Sequence, residues 1–67
     1  MTDIIIDTED RFIGKYKNHR ISIAIITLNY FDADVQDPTY LTILEMQEYF
    51  MNIEAAKQSM IDYIDKL

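Results

Sequence analysis

The side chains of this chain that could do chemistry are mostly carboxylates: twelve Asp and Glu stand against six Lys and Arg, with one histidine and no cysteine. The nearest approach to a metal motif is DADVQD, Asp32 to Asp37. Numbered as an EF-hand loop from Asp32, it puts Asp34 at the third position but Gln36 at the fifth. Asp37 then falls where a glycine must turn the chain, and Ile43 where a bidentate glutamate closes the site. A solvated acidic loop is the better account of it. Without cysteine there are neither thiolate zinc sites nor disulfides. With a lone His19, a transition-metal site would need oxygen ligands almost throughout.

Catalysis fares no better. A nucleophile needs an adjacent base that a third group orients, and the chain offers Ser22 and Ser59 with His19 in a turn-forming stretch. Paired carboxylates need a cleft to move their acidities apart, and a small sheet with one helix seldom encloses one. The single glycine cannot build a phosphate cradle. No catalytic, cofactor-binding or metal-binding residue is assigned, and the chain is expected not to be an enzyme.

What remains is the distribution of charge. RFIGKYKNHR holds four of the six cations, Arg11, Lys15, Lys17 and Arg20. With Phe12, Tyr16 and Tyr30 nearby they could neutralise phosphates while aromatic rings stack on bases. That footprint is modest, and it works against a net charge of −6. The opposite constellation is longer. Asp32, Asp34, Asp37, Glu45, Glu48 and Glu54 follow one another with no Lys or Arg between Ile21 and Glu54. Held on a rigid scaffold, such carboxylates suit a cationic groove, including one built for nucleic acid, because the groove responds to the field. Solubility alone is the plainer explanation.

The elements that must position these groups are short. DIIID, within residues 1–10, reads as an edge strand or an arm. Gly14, inside the basic stretch, marks a bulge or a close backbone approach, and KNHR is the turn, since Asn18 tolerates left-handed angles. ISIAIITLNYF, rich in β-branched residues, reads as one strand with Ile21, Ile23 and Ile25 on one face and Ala24, Ile26, Leu28 and Tyr30 on the other. It is apolar on both sides and so central or covered twice. DADVQDP reads as a loop. After Pro38 either a helix or a strand is compatible with the pattern, and the strand is preferred for YLTI. NIEAAKQSMIDYIDKL is an amphipathic helix: Asn52 caps it, Glu54 sits in the first turn and Lys66 in the last, and Ile53, Ala56, Met60, Tyr63, Ile64 and Leu67 form its apolar face.

These elements give a single small α+β domain over 1–67, β-rich in 11–51 and helical in 52–67. It has a small antiparallel sheet of about three strands with one C-terminal helix packed on it. With no disulfide available, oligomerisation is the stabiliser left to a core this small, and a homodimer is an option. No stretch reaches the length of a membrane span, and the acidic start MTDIIIDTED lacks a secretory signal. A cytoplasmic location is the expectation.

The stretch EYFMNIEAAKQSMIDYID, through Phe50, Asn52, Ala56, Lys57, Ile61 and Asp62, resembles the ending of many small bacteriophage and prophage proteins. That resemblance implies an origin among short phage-type proteins, a class containing many inhibitors of host defence or host machinery. It transfers no functional residue. The leading expectation is a non-enzymatic binding protein that engages a host protein with a basic surface through its acidic residues, as an inhibitor and in one form as a nucleic-acid mimic, in the host cytoplasm. Two alternatives stand beside it: a nucleic-acid-binding regulator that uses the basic hairpin 11–20, and a structural subunit of a homo-oligomer driven by the apolar strand.

Overall fold

A computed structural model describes residues 3–67. Five strands run in sequence, β1 (Asp3–Asp7), β2 (Arg11–Tyr16), β3 (His19–Thr27), β4 (Tyr30–Gln36) and β5 (Thr42–Tyr49), followed by the helix α1 (Ile53–Asp65). Neighbours in sequence are neighbours in the sheet, in the order β1-β2-β3-β4-β5, and every pairing is antiparallel. The fold is α+β as expected, with five strands where about three were anticipated.

The strand that was not expected is β4. ISIAIITLNYF is not one strand: the chain reverses at Leu28 and Asn29, where Asn29 takes a left-handed φ of 58°, and Thr27 pairs with Tyr30. DADVQ, expected as loop, is most of β4, with Phe31, Ala33 and Val35 buried and Asp32 exposed. Strict alternation of period two decides this, because every second side chain reaches the core whatever the polarity of those between. The segment after Pro38 is a strand, as preferred, and begins at Thr42. Asp3–Asp7 form the edge strand β1. The KNHR turn forms as expected, with Lys17 and Asn18 both left-handed at φ 49° and 64°, the geometry a two-residue hairpin needs to match strand twist. Gly14 is buried and paired to Ile4 and Ile21, and the irregularity beside it falls in β1, between Ile4 and Ile6.

One face of the sheet is covered. Ile53, Ala56, Met60 and Ile64 of α1 pack on Phe12, Ile21, Ile23, Phe31, Ala33 and Val35, with Tyr16, Leu44 and Met46 at the margin. Fully burying side chains of this size stabilises by about 1.5–3 kcal/mol each, which is what holds a helix of this length in place. Asn52 Oδ1 accepts from the Ala55 N–H at 2.9 Å, so the expected N-cap forms. Two expectations for α1 are corrected. Lys66 is the C-cap and no basic residue occupies the last turn, while Leu67 is exposed because the helix ends before its turn of the face arrives. The C-terminal end is held instead by Asp65 Oδ1, which accepts from the Tyr16 hydroxyl at 2.9 Å and from Lys17 Nζ at 2.7 Å.

Candidate binding face

The uncovered face of the sheet is where functional side chains can meet a partner. Side chains directly opposite one another across strands share a face, so the register assigns them. One rung carries Lys15, Arg20 and Gln36; the next carries Ile13, Ser22, Asp34 and Glu45; the third carries Arg11, Ala24, Asp32 and Gln47. Beyond them Tyr30 and Tyr49 face each other with ring centroids 4.6 Å apart and planes tilted by 50°. Charge is segregated by strand. Cations occupy β2 and the start of β3, carboxylates occupy β4 and β5, and small Ser22 and Ala24 separate them.

The carboxylates crowd. Asp34 is held above the usual aspartate range, first by partial burial and then by the charges of Asp32 and Glu45, with Arg20 opposing. Burial and the two neighbouring carboxylates penalise the ionised form, and Arg20 favours it. Among the described residues, Asp32, Asp34 and Glu45 make no ion pair; the two ion pairs there lie elsewhere, Lys17 to Asp65 at 2.7 Å and Lys57 to Glu54 at 3.1 Å.

The six acids singled out in the sequence therefore do not form one surface. Asp32, Asp34 and Glu45 come together. Glu48 sits opposite Phe31 in the register and so belongs to the other face. Glu54 is in the first turn of α1, bound to Lys57. Asp37 lies in the β4–β5 loop, where its Oδ1 accepts from the Thr39 N–H, the Thr39 hydroxyl and the Leu41 N–H at 2.9, 2.7 and 3.0 Å. These bonds hold its carboxyl below the usual range, the Thr39 side chain most of all.

The basic set divides likewise. Arg11, Lys15 and Arg20 are on the open face, whereas Lys17 turns to α1. Of the three aromatic residues expected beside them, two lie on the helix side of the sheet. Phe12 is buried beneath the helix with Lys57 Nζ 4.7 Å from its ring centroid, Tyr16 is bound to Asp65, and Tyr30 stands at the far end. His19 opens β3, with Nδ1 2.8 Å from the Lys17 carbonyl oxygen.

A cleft of about 200 Å³ lies at the cationic end, lined by Lys15, Asn18, Arg20, Asp37, Pro38 and Tyr40. Nothing in the sequence points to the cleft, because it forms between two loops far apart in the chain. Among the described residues no three acidic or histidine side chains cluster closely enough to hold a metal ion, and no helix is long and apolar enough to cross a membrane. Comparison of the chain with protein-family models, with curated proteins and with solved structures returns no match.

Proposed function

We propose that this is a non-enzymatic binding protein that engages a basic protein partner through the open face of its sheet. The observation that carries the proposal is the crowding of Asp32, Asp34 and Glu45 on an uncovered, rigid surface without ion-pair partners among the described residues. Partial burial first, and the charges of Asp32 and Glu45 second, hold the Asp34 carboxyl above its usual range, and a cation brought by a partner offsets that crowding of charge. Neighbouring rungs along a strand are about 7 Å apart, a spacing that suits the alternate side chains of an extended basic segment.

The resemblance of the C-terminal segment to phage-type proteins supports a finer form, in which the partner is a host protein and binding inhibits it. The division of the six acids between faces favours a short basic loop or strand as the target over a long groove that follows a phosphate backbone. Titrating the isotopically labelled protein with a Lys/Arg-rich peptide and following amide shifts by NMR tests the proposal. Shifts should centre on Asp32, Asp34, Glu45 and Gln47 and vanish in the triple variant Asp32→Asn, Asp34→Asn, Glu45→Asn. Shifts centred instead on Glu9, Asp10 and Asp62, or unchanged in the triple variant, would count against this face.

A further inference from the structure

We propose that the basic segment of the partner joins the sheet as a sixth strand along the free edge of β5, held by backbone hydrogen bonds as well as by charge. The inference rests on the binding face assigned above and names how its occupant is held: that reading concerns the face, this one the edge beside Glu45.

The direction of the backbone groups follows from the register. Opposed residues of an antiparallel pair alternate between those that exchange hydrogen bonds and those that do not. The Phe50 N–H donates to the Asn29 carbonyl oxygen at 2.8 Å, and the register runs on from there without a break, from Tyr30 opposite Tyr49 to Val35 opposite Leu44. Glu48, Met46 and Leu44 therefore bond to β4, whereas Tyr49, Gln47 and Glu45 aim their N–H and C=O groups away from the sheet. Ile43 has the same parity as these three. Its carbonyl oxygen accepts from the Tyr63 hydroxyl at 3.2 Å, so the helix closes the beginning of this edge and leaves the rest open. Glu45, Gln47 and Tyr49 are all exposed.

The two edges of the sheet differ. β1 has five residues and an irregularity between Ile4 and Ile6, and a short strand with a bulge is one of the ways an edge is kept from pairing. β5 has eight residues, with no proline or lysine and no irregularity between Leu44 and Tyr49. It carries Glu45 and Glu48 instead. In a chain of net charge −6, these carboxylates repel the same edge of a second copy and attract a strand of opposite sign.

The side chains along β5 set the sequence of the occupant. Successive side chains of an added strand alternate between faces, and cross-strand neighbours on one face interact directly. On the open face, a cation opposite Glu45 stands beside it and, across one further strand spacing of about 4.8 Å, near Asp34. On the other side α1 packs on β2, β3 and β4, which leaves Leu44 and Met46 half-buried at the margin of the core. Apolar residues opposite these two widen the core, and a second cation meets Glu48. The occupant is thus an extended segment that mixes Lys or Arg with β-branched residues. Main-chain bonds give such docking its affinity, and alternate side chains give it selectivity.

The probe is the blocked peptide Thr-Lys-Thr-Ile-Arg-Val, written to lie antiparallel from Tyr49 to Leu44. Two further versions are N-methylated on alternate residues: on those opposite Glu45, Gln47 and Tyr49, whose N–H groups face β5, or on those opposite Leu44, Met46 and Glu48, whose N–H groups face away. NMR titration of the labelled protein at low ionic strength, with amide hydrogen exchange, is the readout. Shifts should run along residues 44–49, and exchange at Glu45, Gln47 and Tyr49 should slow about tenfold at roughly nine-tenths saturation. The peptide methylated on its facing side should lose binding and the other should keep it. Gln47→Pro removes an outward N–H and no bond to β4, as an edge strand tolerates, and should lose the peptide while keeping the native spectrum. If that variant does not fold, the two methylated peptides decide alone. Equal behaviour of the two methylated peptides, shifts along β1 in place of β5, or no binding at all overturns the proposal. So does protection of the same amides without peptide that grows with protein concentration, which would put a second copy on the edge. Pairing along β5 that is undiminished in Asp32→Asn, Asp34→Asn supports the edge and counts against the carboxylate face. Binding at Asp32, Asp34 and Glu45 that ignores which residues are methylated supports the face and overturns the edge.

Discussion

Asp65 ties the end of the helix to the β2–β3 turn with one oxygen, which takes both the Tyr16 hydroxyl and the Lys17 ammonium. The Lys17 bond first, and the Tyr16 bond second, hold its carboxyl below the usual range. A carboxyl whose folded pKa is lowered contributes stability that is present above its unfolded pKa and is lost as pH falls through the lowered one. Asp65→Asn should therefore lower the urea midpoint at neutral pH, and the two proteins should converge in strong acid. Equal midpoints at neutral pH would show that the clamp orders the turn without stabilising it. Asp34 has the reverse sign. Its carboxyl is held high, so its penalty is present above the raised value and is removed as pH falls toward the usual aspartate range. Asp34→Asn should stabilise at neutral pH, by no more than about 0.5 kcal/mol for so solvent-reachable a site, and the gain should vanish in acid. Tyr40 stores strain of another kind. It is two-thirds exposed at 66% and left-handed at φ 66°, where a non-glycine residue costs roughly 1–2 kcal/mol. Asparagine tolerates that region better, so Tyr40→Asn should raise the melting temperature by roughly 2–4 °C, the shift expected for about 0.5 kcal/mol in a domain this small. A fall would mean that the Tyr40 ring makes contacts worth more than the strain.

At the scale of elements, the helix was the most legible part of the sequence and β4 the least. Asn52 as cap and the inward set Ile53, Ala56, Met60 and Ile64 follow from a 3.6-residue period that nothing else in the chain imitates. In β4 the acidic residues drew the eye and the alternation was hidden between them: Phe31, Ala33 and Val35 are the inward half of a pattern whose outward half is Tyr30, Asp32 and Asp34. Composition argued loop and spacing argued strand, and spacing won because burial rewards only the inward residues. The site is hidden in the sequence for the same reason. With Asp32 and Asp34 on a loop their neighbours were unknowable, whereas on β4 the register brings Glu45 beside Asp34 and sends Glu48 to the opposite face. Lys17 is near Arg20 in sequence but not in space, because a two-residue turn aims its members away from the strands they join, here toward Asp65. Packing under the helix gives a sharp test. Met60 is fully buried, and Met→Ala in a core costs about 2–5 kcal/mol, comparable to the roughly 3–5 kcal/mol a domain of this size commands. Met60→Ala should be largely unfolded by circular dichroism at room temperature, while Met60→Leu, conserving volume, should lose less than about 1.5 kcal/mol. A folded Met60→Ala would mean that the helix is held mainly by its ends.

The whole molecule is a meander with a helix on one side, and its contacts are local in sequence, which favours quick folding. Its charge works against compactness. Acids outnumber bases two to one, and only two ion pairs, both at the helix, offset that repulsion among the described residues. Solvent screens both pairs, so they offset little of it. Salt shortens the reach of repulsion and attraction alike, to about 10 Å at 0.1 M and about 3 Å at 1 M. Because the unfavourable encounters outnumber the favourable ones, screening should stabilise the fold on balance. At protein concentrations low enough to keep the chain single, the urea midpoint at neutral pH should rise as sodium chloride is added from the low millimolar range toward molar. Most of that rise should come early, while the screening length still exceeds the spacing between strands. The variant Asp32→Asn, Asp34→Asn, Glu45→Asn should start from a higher midpoint and respond less to salt, since the densest repulsion on the sheet is already gone. A wild-type midpoint that falls with salt would mean that attraction between the two halves of the open face, Arg20 toward Asp34 above all, outweighs the crowding of carboxylates. The face would then be satisfied within one chain, and a basic partner would find no unpaired charge to answer.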